Sequence, residues 1–558
     1  MRGWVGVRAS VGTAAAVALG SAGLLGAVVA TATPAAAGSF TVSNNNPSGL
    51  GSLQQAFMDA SASATPNTIT VNPGVGQINL SAELVYSSNA SLSLEGNGVT
   101  INQASPGDRV IHDTGTGLLS IDRVTITGGT LVSADGAGGA IDEDMTGSSL
   151  TLTNSTVSNN SSTATTNATP GADIIRTGND DGAFTATNDT ITGNTDTGTG
   201  GSTYGTIDTG DTTVTGLTVT NNLDQASGGH DAGGIFDTAN VTITGTTVTG
   251  NRNIATGGGD ADGTLDTSNL TLGGSTVTGN TVQANAGGDA DGILDSSTTI
   301  VVTSMVGSNT NSTSGGGDAD GILDSSATTL TDSSVVQNVN STDTGSAFGA
   351  IDASSVTAVN STISDNTNPG ASSQGGGIDD GPGGHAGVRA ASGKHPGRSS
   401  AQAAIGTTLV YATVVGNTAQ TGSNVDSSSA FHAFGSVVAL GNGGANCTFG
   451  SSATSSGWNF SNDTSCLFTN TTNGDRQSGD PGLGAVANNG GPAFTQLPQP
   501  GSVLLDAIPP ASCQADGAAG ITTDERGLPR PDVLSPNCDI GAAEVQPAPP
   551  TVTAAFTG

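Results

Sequence analysis

The sequence predicts an all-β chain wound as a parallel β-helix of about twelve coils of 28–29 residues, and three observations carry that prediction. Short alternating segments such as VTITGTTVTGN (241–251) and LTLGGSTVTGN (270–280) close on an asparagine at 160, 194, 222, 251, 280, 309, 338, 366 and 417. From 194 to 366 every step is 28 or 29 residues, a period that marks a repeat array. The stretch GGDADGILDSS stands at 287–297 and again at 316–326, with GGDADGTLDTS at 258–268. Composition excludes helical repeats: 86 glycines, abundant Thr, Ser and Asn and 3% aromatic residues leave no long runs of helix formers. Propeller blades need longer units, and the six-residue period of left-handed β-helices is missing. Stacked about 4.8 Å apart, the coils would form a rod roughly 60 Å long.

Residues 1–37 read as a secretory signal peptide. Arg2 and Arg8 precede the apolar stretch 11–30, and Ala35-Ala36-Ala37 supplies a small-residue cleavage site. A membrane anchor is the competing reading, countered by Gly20 and Gly23 within the run. No other segment approaches the ~20 apolar residues of a spanning helix. The formal charge of −34 argues against nucleic acid and anionic lipid as partners and favours solubility and cation binding. The expectation is a secreted protein outside the cytoplasm, monomeric, with cell-surface or extracellular glycan or protein as partner.

Residues 38–105 form the N-terminal cap and first coils. Ser52 with Gln55 three positions on is a capping box, and Leu53, Ala56, Phe57 and Ala60 share one helical face suited to covering the open end of the stack. The segment GSLQQAFMDA resembles the "GSL-x-x-A" stretch of secreted bacterial β-helix proteins, with Gln54-Gln55 where those often carry Arg-Gln or Arg-Glu.

Residues 106–440 are the repeats. Ile207, Phe236, Leu265, Leu294, Leu323 and Ile351 recur at one position and should point inward, coil on coil. The recurring asparagines should form a ladder of side-chain amides at corners where Asn and Gly tolerate left-handed backbone. Alternation about Leu294 then places Asp291 and Asp295 outward, with equivalents Asp262, Asp320, Asp208, Asp237, Asp266, Asp324 and Asp352. Like charges ~5 Å apart cost roughly 1 kcal/mol each in water and more near protein. Calcium, which takes several carboxylate oxygens, would relieve them, with Asp260, Asp262, Asp289, Asp291, Asp318 and Asp320 as ligands. The other reading is solvated turn residues that keep a sheet face from aggregating. GGDADGILD lacks the second glycine of the nonapeptide calcium repeat, and its period differs.

A second column is Thr190/Thr192, Thr218/Thr220, Thr247/Thr249 and Thr276/Thr278. Such TxT arrays resemble those of ice-binding β-helices, although Thr is also a good strand former and the array decays after 280. An irregular basic insertion at 367–406 carries His385, Arg389, Lys394 (the single lysine), His395 and Arg398. A loop for an acidic partner, an inert loop and a locally shifted reading frame all fit it.

Residues 441–545 contain NCTFGSS, SGWNFSNDTSC, DPGLGAVANNGGPAFTQLPQPGSVLLDA and TDERGLPRP…CDIGAAE, followed by a Pro-rich tail at 546–558. That order of motifs is similar to the choice-of-anchor Q domain proteins, polymorphic-outer-membrane-protein-like surface or secreted chains. The resemblance implies a right-handed β-helix of pectate-lyase-like fold and an extracellular location, and no agreed catalytic residues. No sortase-type motif or apolar tail accompanies it. The four cysteines lie in this region. Three pairings exist, and proximity favours Cys447–Cys466 and Cys513–Cys538, each contributing ~3 kcal/mol. Asp524, Arg526, Arg530 and Asp539 read as an ion-pair lock closing the C-terminal end, in preference to a catalytic cluster.

The function expected is a structural or adhesin-like surface protein. The rival is a polysaccharide hydrolase or lyase, for which Asp180, Asp181, His230 and Arg252 occur in plausible order without the flanking motifs or the spacing. Aromatic subsites for sugars are nearly absent, and Trp458 falls in the C-terminal cap. Ice binding is a minor alternative.

Overall fold

Successive 29-mers do lie atop one another. The computed structural model describes residues 37–547 apart from 135, 168–170, 179–180, 371 and 381–405. Residues 1–36 of the expected signal peptide, Asp180, the basic side chains of the insertion and the tail from 548 lie outside the described residues. The fold is a right-handed parallel β-helix of about twelve turns with one helix. A typical coil runs Leu265–Gly273, Thr276–Thr278 and Thr281–Ala284, then turns through the GGDADG corner. Each strand pairs in parallel with its equivalent one coil on, as in Leu265↔Leu294, Thr276↔Met305 and Thr281↔Thr310. Among the described residues no helix is long and apolar enough to cross a membrane.

The column from Ile207 through Phe236, Leu265, Leu294 and Leu323 to Ile351 is in register and fully buried. It belongs to one apolar core that runs from Val42 to Phe468. Coil-to-coil contact of this kind is the source of a solenoid's stability.

Each buried ladder asparagine spends all its polar atoms. The Asn280 Nδ2 donates to Asn309 Oδ1 and to the Val248 carbonyl, both at 3.0 Å, while its backbone N–H donates to the same Asn309 Oδ1 at 3.0 Å. The pattern holds from Asn160 to Asn417 and passes on to Asn424 and Asn446. The left-handed residue at this corner is the one before the ladder position: Gly250 (φ 66°), Gly279 (φ 64°), and also Ser308 (φ 56°) and Gln337 (φ 58°). At the preceding corner Thr246, Ser275, Ser304 and Ser333 form a hydroxyl ladder, each backbone N–H donating to the next coil's side-chain oxygen.

The helix Leu53–Ser61 buries Leu53, Ala56, Phe57 and Ala60, as its apolar face requires. Only half of the capping box forms. Ser52 Oγ accepts from the Gln55 N–H at 3.2 Å, but the Gln55 side chain turns to Asp59 at 2.8 Å.

Both disulfides pair as proximity favours, Cys447–Cys466 and Cys513–Cys538. The first joins Phe468 in ending the main core. Residues beyond 480 correct the expectation of an end closure, because they run back along one flank of the coils. There Phe494 N–H donates to Ser334 Oγ, Asn360 Nδ2 to the Thr523 carbonyl, and Ala542 N–H to Thr413 Oγ1. A second apolar cluster fills the gap, with Val415, Phe434 and Val437 from the coils and Leu504, Ile508, Cys513 and Cys538 from the cap. Arg526 pairs with Asp524 at 2.6 Å, and the Arg530 guanidinium lies 4.0 Å above the Tyr411 ring. The ion pairs thus fasten a flank.

Asn280→Ala is expected to strip Asn251 and Asn309 of partners inside the core. Leaving a buried polar group unpaired costs about 1–3 kcal/mol, so a thermal melt should show a clear loss of stability, larger than for Asn269→Ala on the exposed outer surface.

Candidate functional site

The aspartates of the ILD segment form one column in the structure. Asp208, Asp237, Asp266, Asp295, Asp324, Asp352 and Asp379 pair in register. They do not face solvent as alternation suggests: Asp295 is 3% exposed and Asp352 fully buried. The reason is the corner of a neighbouring coil, which folds over them. A Cβ on Gly263 (φ +105°) would stand 3.3 Å from the Asp295 Cβ, and one on Gly292 (φ +96°) 3.5 Å from the Asp324 Cβ. Glycine is required there by backbone conformation and by closeness.

The corner aspartates divide by role. Asp260, Asp289 and Asp318 act as turn acceptors: Asp289 N–H donates to Asp260 Oδ1, and Asp318 N–H to Asp289 Oδ1, each at 2.9 Å. Asp262, Asp291 and Asp320 lie near the main aspartate column, and burial first, then repulsion from neighbouring carboxylates, holds their pKa values well above the ordinary range. Among the described residues, no three of these six bring ligand atoms within 4.8 Å of one another.

A further set of acids lies inside the coil. Asp196 and Asp224 share a column with Asn253, Val282, Asn311 and Asn340. The asparagines satisfy corner carbonyls, Asn253 Nδ2 donating to Gly263 O at 2.8 Å and Asn311 Nδ2 to Gly321 O at 3.0 Å. Asp224 Oδ2 instead accepts the Gly234 N–H at 2.8 Å, and burial pushes its pKa up to about 7.

Traced toward the N-terminus, the outer column changes character: Asp208 stacks on Arg176, Arg176 on Asp142, and Asp142 on His112. Here the acids meet cations. Arg176 holds Asp142 Oδ1 at 2.7 Å through both Nε and Nη2, and also contacts Asp144 Oδ1. His112 Nε2 lies 2.9 Å from Asp144 Oδ2 and 3.9 Å from Asp142 Oδ2, while its Nδ1 lies 3.6 Å from Glu83. Arg109 lies 3.5 Å from Glu83 and contacts Asp142. The hydrogen bond with Asp144 raises the His112 pKa, and the same bond holds Asp144 down to about 2. One residue further along, burial pushes Asp113 up to about 7 and Glu143 to about 9. Perturbed acids and bases gathered at one place mark a candidate site. None of His112, Asp142, Asp144 and Glu83 stands out in the sequence. The available signal was the equivalence of Ile111, Ile141 and Ile175 to the later leucines of the ILD segment.

The residues suited to a polysaccharide hydrolase lie apart. Asp181 is exposed in a turn, His230 is half-buried in a corner, and Arg252 is exposed at the head of the strand Arg252–Ala255. No hydrogen bond or ion pair joins these three among the described residues.

The threonine columns stand half-exposed on one face, with Thr247 the most open and Ser158 buried. Thr156, Thr190, Thr218, Thr247 and Thr276 stack in register, with Ser158, Thr192, Thr220, Thr249 and Thr278 beside them, and Thr220 Oγ1 donates to Thr192 Oγ1 at 2.9 Å. Thr213, Thr215, Thr242 and Thr244 extend exposed hydroxyls and methyls around the next corner. Where the TxT pattern decays, the same flank is taken over by the C-terminal cap, beginning at Ser334.

No family model matches the chain, and no curated protein matches it. Among solved structures it is similar to the tailspike protein of E. coli bacteriophage HK620 in complex with pentasaccharide, at 14% identity over 57% of this chain and 67% of that chain, with a TM-score of 0.22. A mutant of that tailspike, also with pentasaccharide, aligns at 14% identity over 76% of this chain and 74% of the other, with a TM-score of 0.25. The class of the fold rests on the strand pairing itself.

Asp224 supplies a test of the buried acids. Its folded-state pKa of about 7 exceeds the ~3.9 of an unfolded aspartate, so the folded chain keeps a proton that the unfolded chain has released. That contribution is present below pH ~4 and is lost as pH rises through about 7. Asp224→Asn keeps an acceptor for Gly234 and removes the titration. It should raise the melting temperature at pH 8, leave it nearly unchanged at pH 4, and so narrow the gap between the two.

Proposed function

We propose that the protein is an extracellular β-helical scaffold of adhesin-like type, which lays its uncovered threonine face against a polyhydroxylated cell-surface glycan. One observation carries this reading: the hydroxyl columns from Thr156 to Thr278 are mostly half-exposed, regular and uncharged, whereas the aspartates of the Asp208–Asp379 column are withdrawn beneath the corners. Hydroxyls repeated at the strand spacing offer paired donors and acceptors, and their methyl groups offer apolar contact, without repelling an acidic glycan. The two disulfides favour an oxidising compartment outside the cell. The motif order of 441–545 supports kinship with choice-of-anchor Q domain proteins.

The experiment is a glycan array probed with the full chain and with the pair Thr218→Lys and Thr247→Lys. Binding to one or more glycans should fall at least tenfold in the pair, while Thr310→Lys on the eight-stranded sheet leaves it unchanged. Equal binding by all three chains, or none by the parent, would overturn the reading.

A further inference from the structure

The N-terminal charged cluster has the construction of a metal centre. His112, Asp142 and Asp144 each bring one ligand atom within 4.8 Å of the others. An ion about 2.1 Å from each ligand sets neighbouring ligand atoms about 3.4 Å apart in tetrahedral geometry. The observed separations of 2.9 Å and 3.9 Å from His112 Nε2 bracket that figure.

The surrounding groups orient the three atoms. Arg176 occupies the Oδ1 atoms of both aspartates, which turns both Oδ2 atoms toward the imidazole. Glu83 lies 3.6 Å from the opposite ring nitrogen, Nδ1, where a carboxylate favours the tautomer that can ligate through Nε2 once an incoming ion displaces the Nε2 proton shared with Asp144. Asp142 is 1% exposed, whereas Asp144 and Glu83 are 39% and 33% exposed, so the cluster has a buried floor and an open rim. Arg109 is the group in the way, since it contacts the Oδ2 of Asp142.

We propose that His112, Asp142 and Asp144 bind a divalent first-row transition ion, with zinc as the probe, and with Arg176 and Glu83 as outer partners. One imidazole and two carboxylates suit zinc or manganese better than calcium, which prefers six or more oxygens. Three protein ligands at an open rim leave a coordination position for water or a ligand. Arg109 guards the site: it neutralises Asp142 without metal and must swing aside when metal enters. The proposal is independent of the threonine face.

The test is zinc titration of the full chain by calorimetry, beside H112A, D144N and R109A. One equivalent should bind to the parent, weaken at least tenfold in H112A and in D144N, and tighten several-fold in R109A. Absence of zinc binding, unchanged affinity in D144N, or weaker binding in R109A would overturn the proposal. D144N alters a rim residue with an isosteric amide, and R109A predicts a gain, so a failure of H112A to fold leaves the test decisive.

Discussion

Parallel stacking in register is the constraint from which the rest of this structure follows. It converts each position of the 29-residue unit into a line of like residues one strand spacing apart. For Leu294 and its equivalents that is favourable, because like apolar side chains pack on one another. Asparagine also gains, since an amide is at once donor and acceptor and can satisfy its own copy above and below. Aspartate is the costly case, having only acceptors to offer its neighbours while it remains ionised. The structure meets that cost by withdrawing the carboxylates from water, and at Asp352 burial and then the neighbouring carboxylates hold the pKa well above the ordinary range.

The same logic explains the polarity of the outer column. Along the regular coils Asp208 to Asp379 stack acid upon acid. At the N-terminal coils the position is filled by His112, Asp142 and Arg176, so opposite charges alternate. Acid beside base is how buried ionised groups remain ionised, and Asp144, held down to about 2, contrasts with Glu143, raised to about 9. Glu143, which ends the strand Ile141–Glu143, and Asp144 just past it thus differ widely in proton affinity, because Asp144 meets His112 and Arg176 whereas Glu143 is buried.

Much of the architecture was legible in the sequence, because periodicity alone places Leu294 over Leu265 and Asn280 over Asn251. The apolar face of Leu53–Ser61 and the two disulfides also followed from local spacing. The exposure of Asp295 did not, since alternation tells which side of a strand a residue takes but not what covers that side. Here the cover is a corner of a neighbouring coil. The His112 cluster was hidden for a different reason. Its coils differ in length, with 30, 34 and 32 residues separating His112, Asp142, Arg176 and Asp208, so a search keyed to 28 or 29 passes over them. The flank course of the cap was equally out of reach, because contacts such as Asn360 with Thr523 span 163 residues and leave no periodic trace.

The plugging of both mouths of the coil has a consequence for how the molecule behaves in a crowd of its copies. A stack of parallel strands whose last rung lies bare is a template on which another chain can continue the pattern. Leu53 and Phe57 at one mouth, and Cys466 with Phe468 at the other, interrupt the apolar column before a second molecule can extend it. In a chain built almost wholly of self-complementary repeats, terminal caps of this kind oppose end-to-end growth.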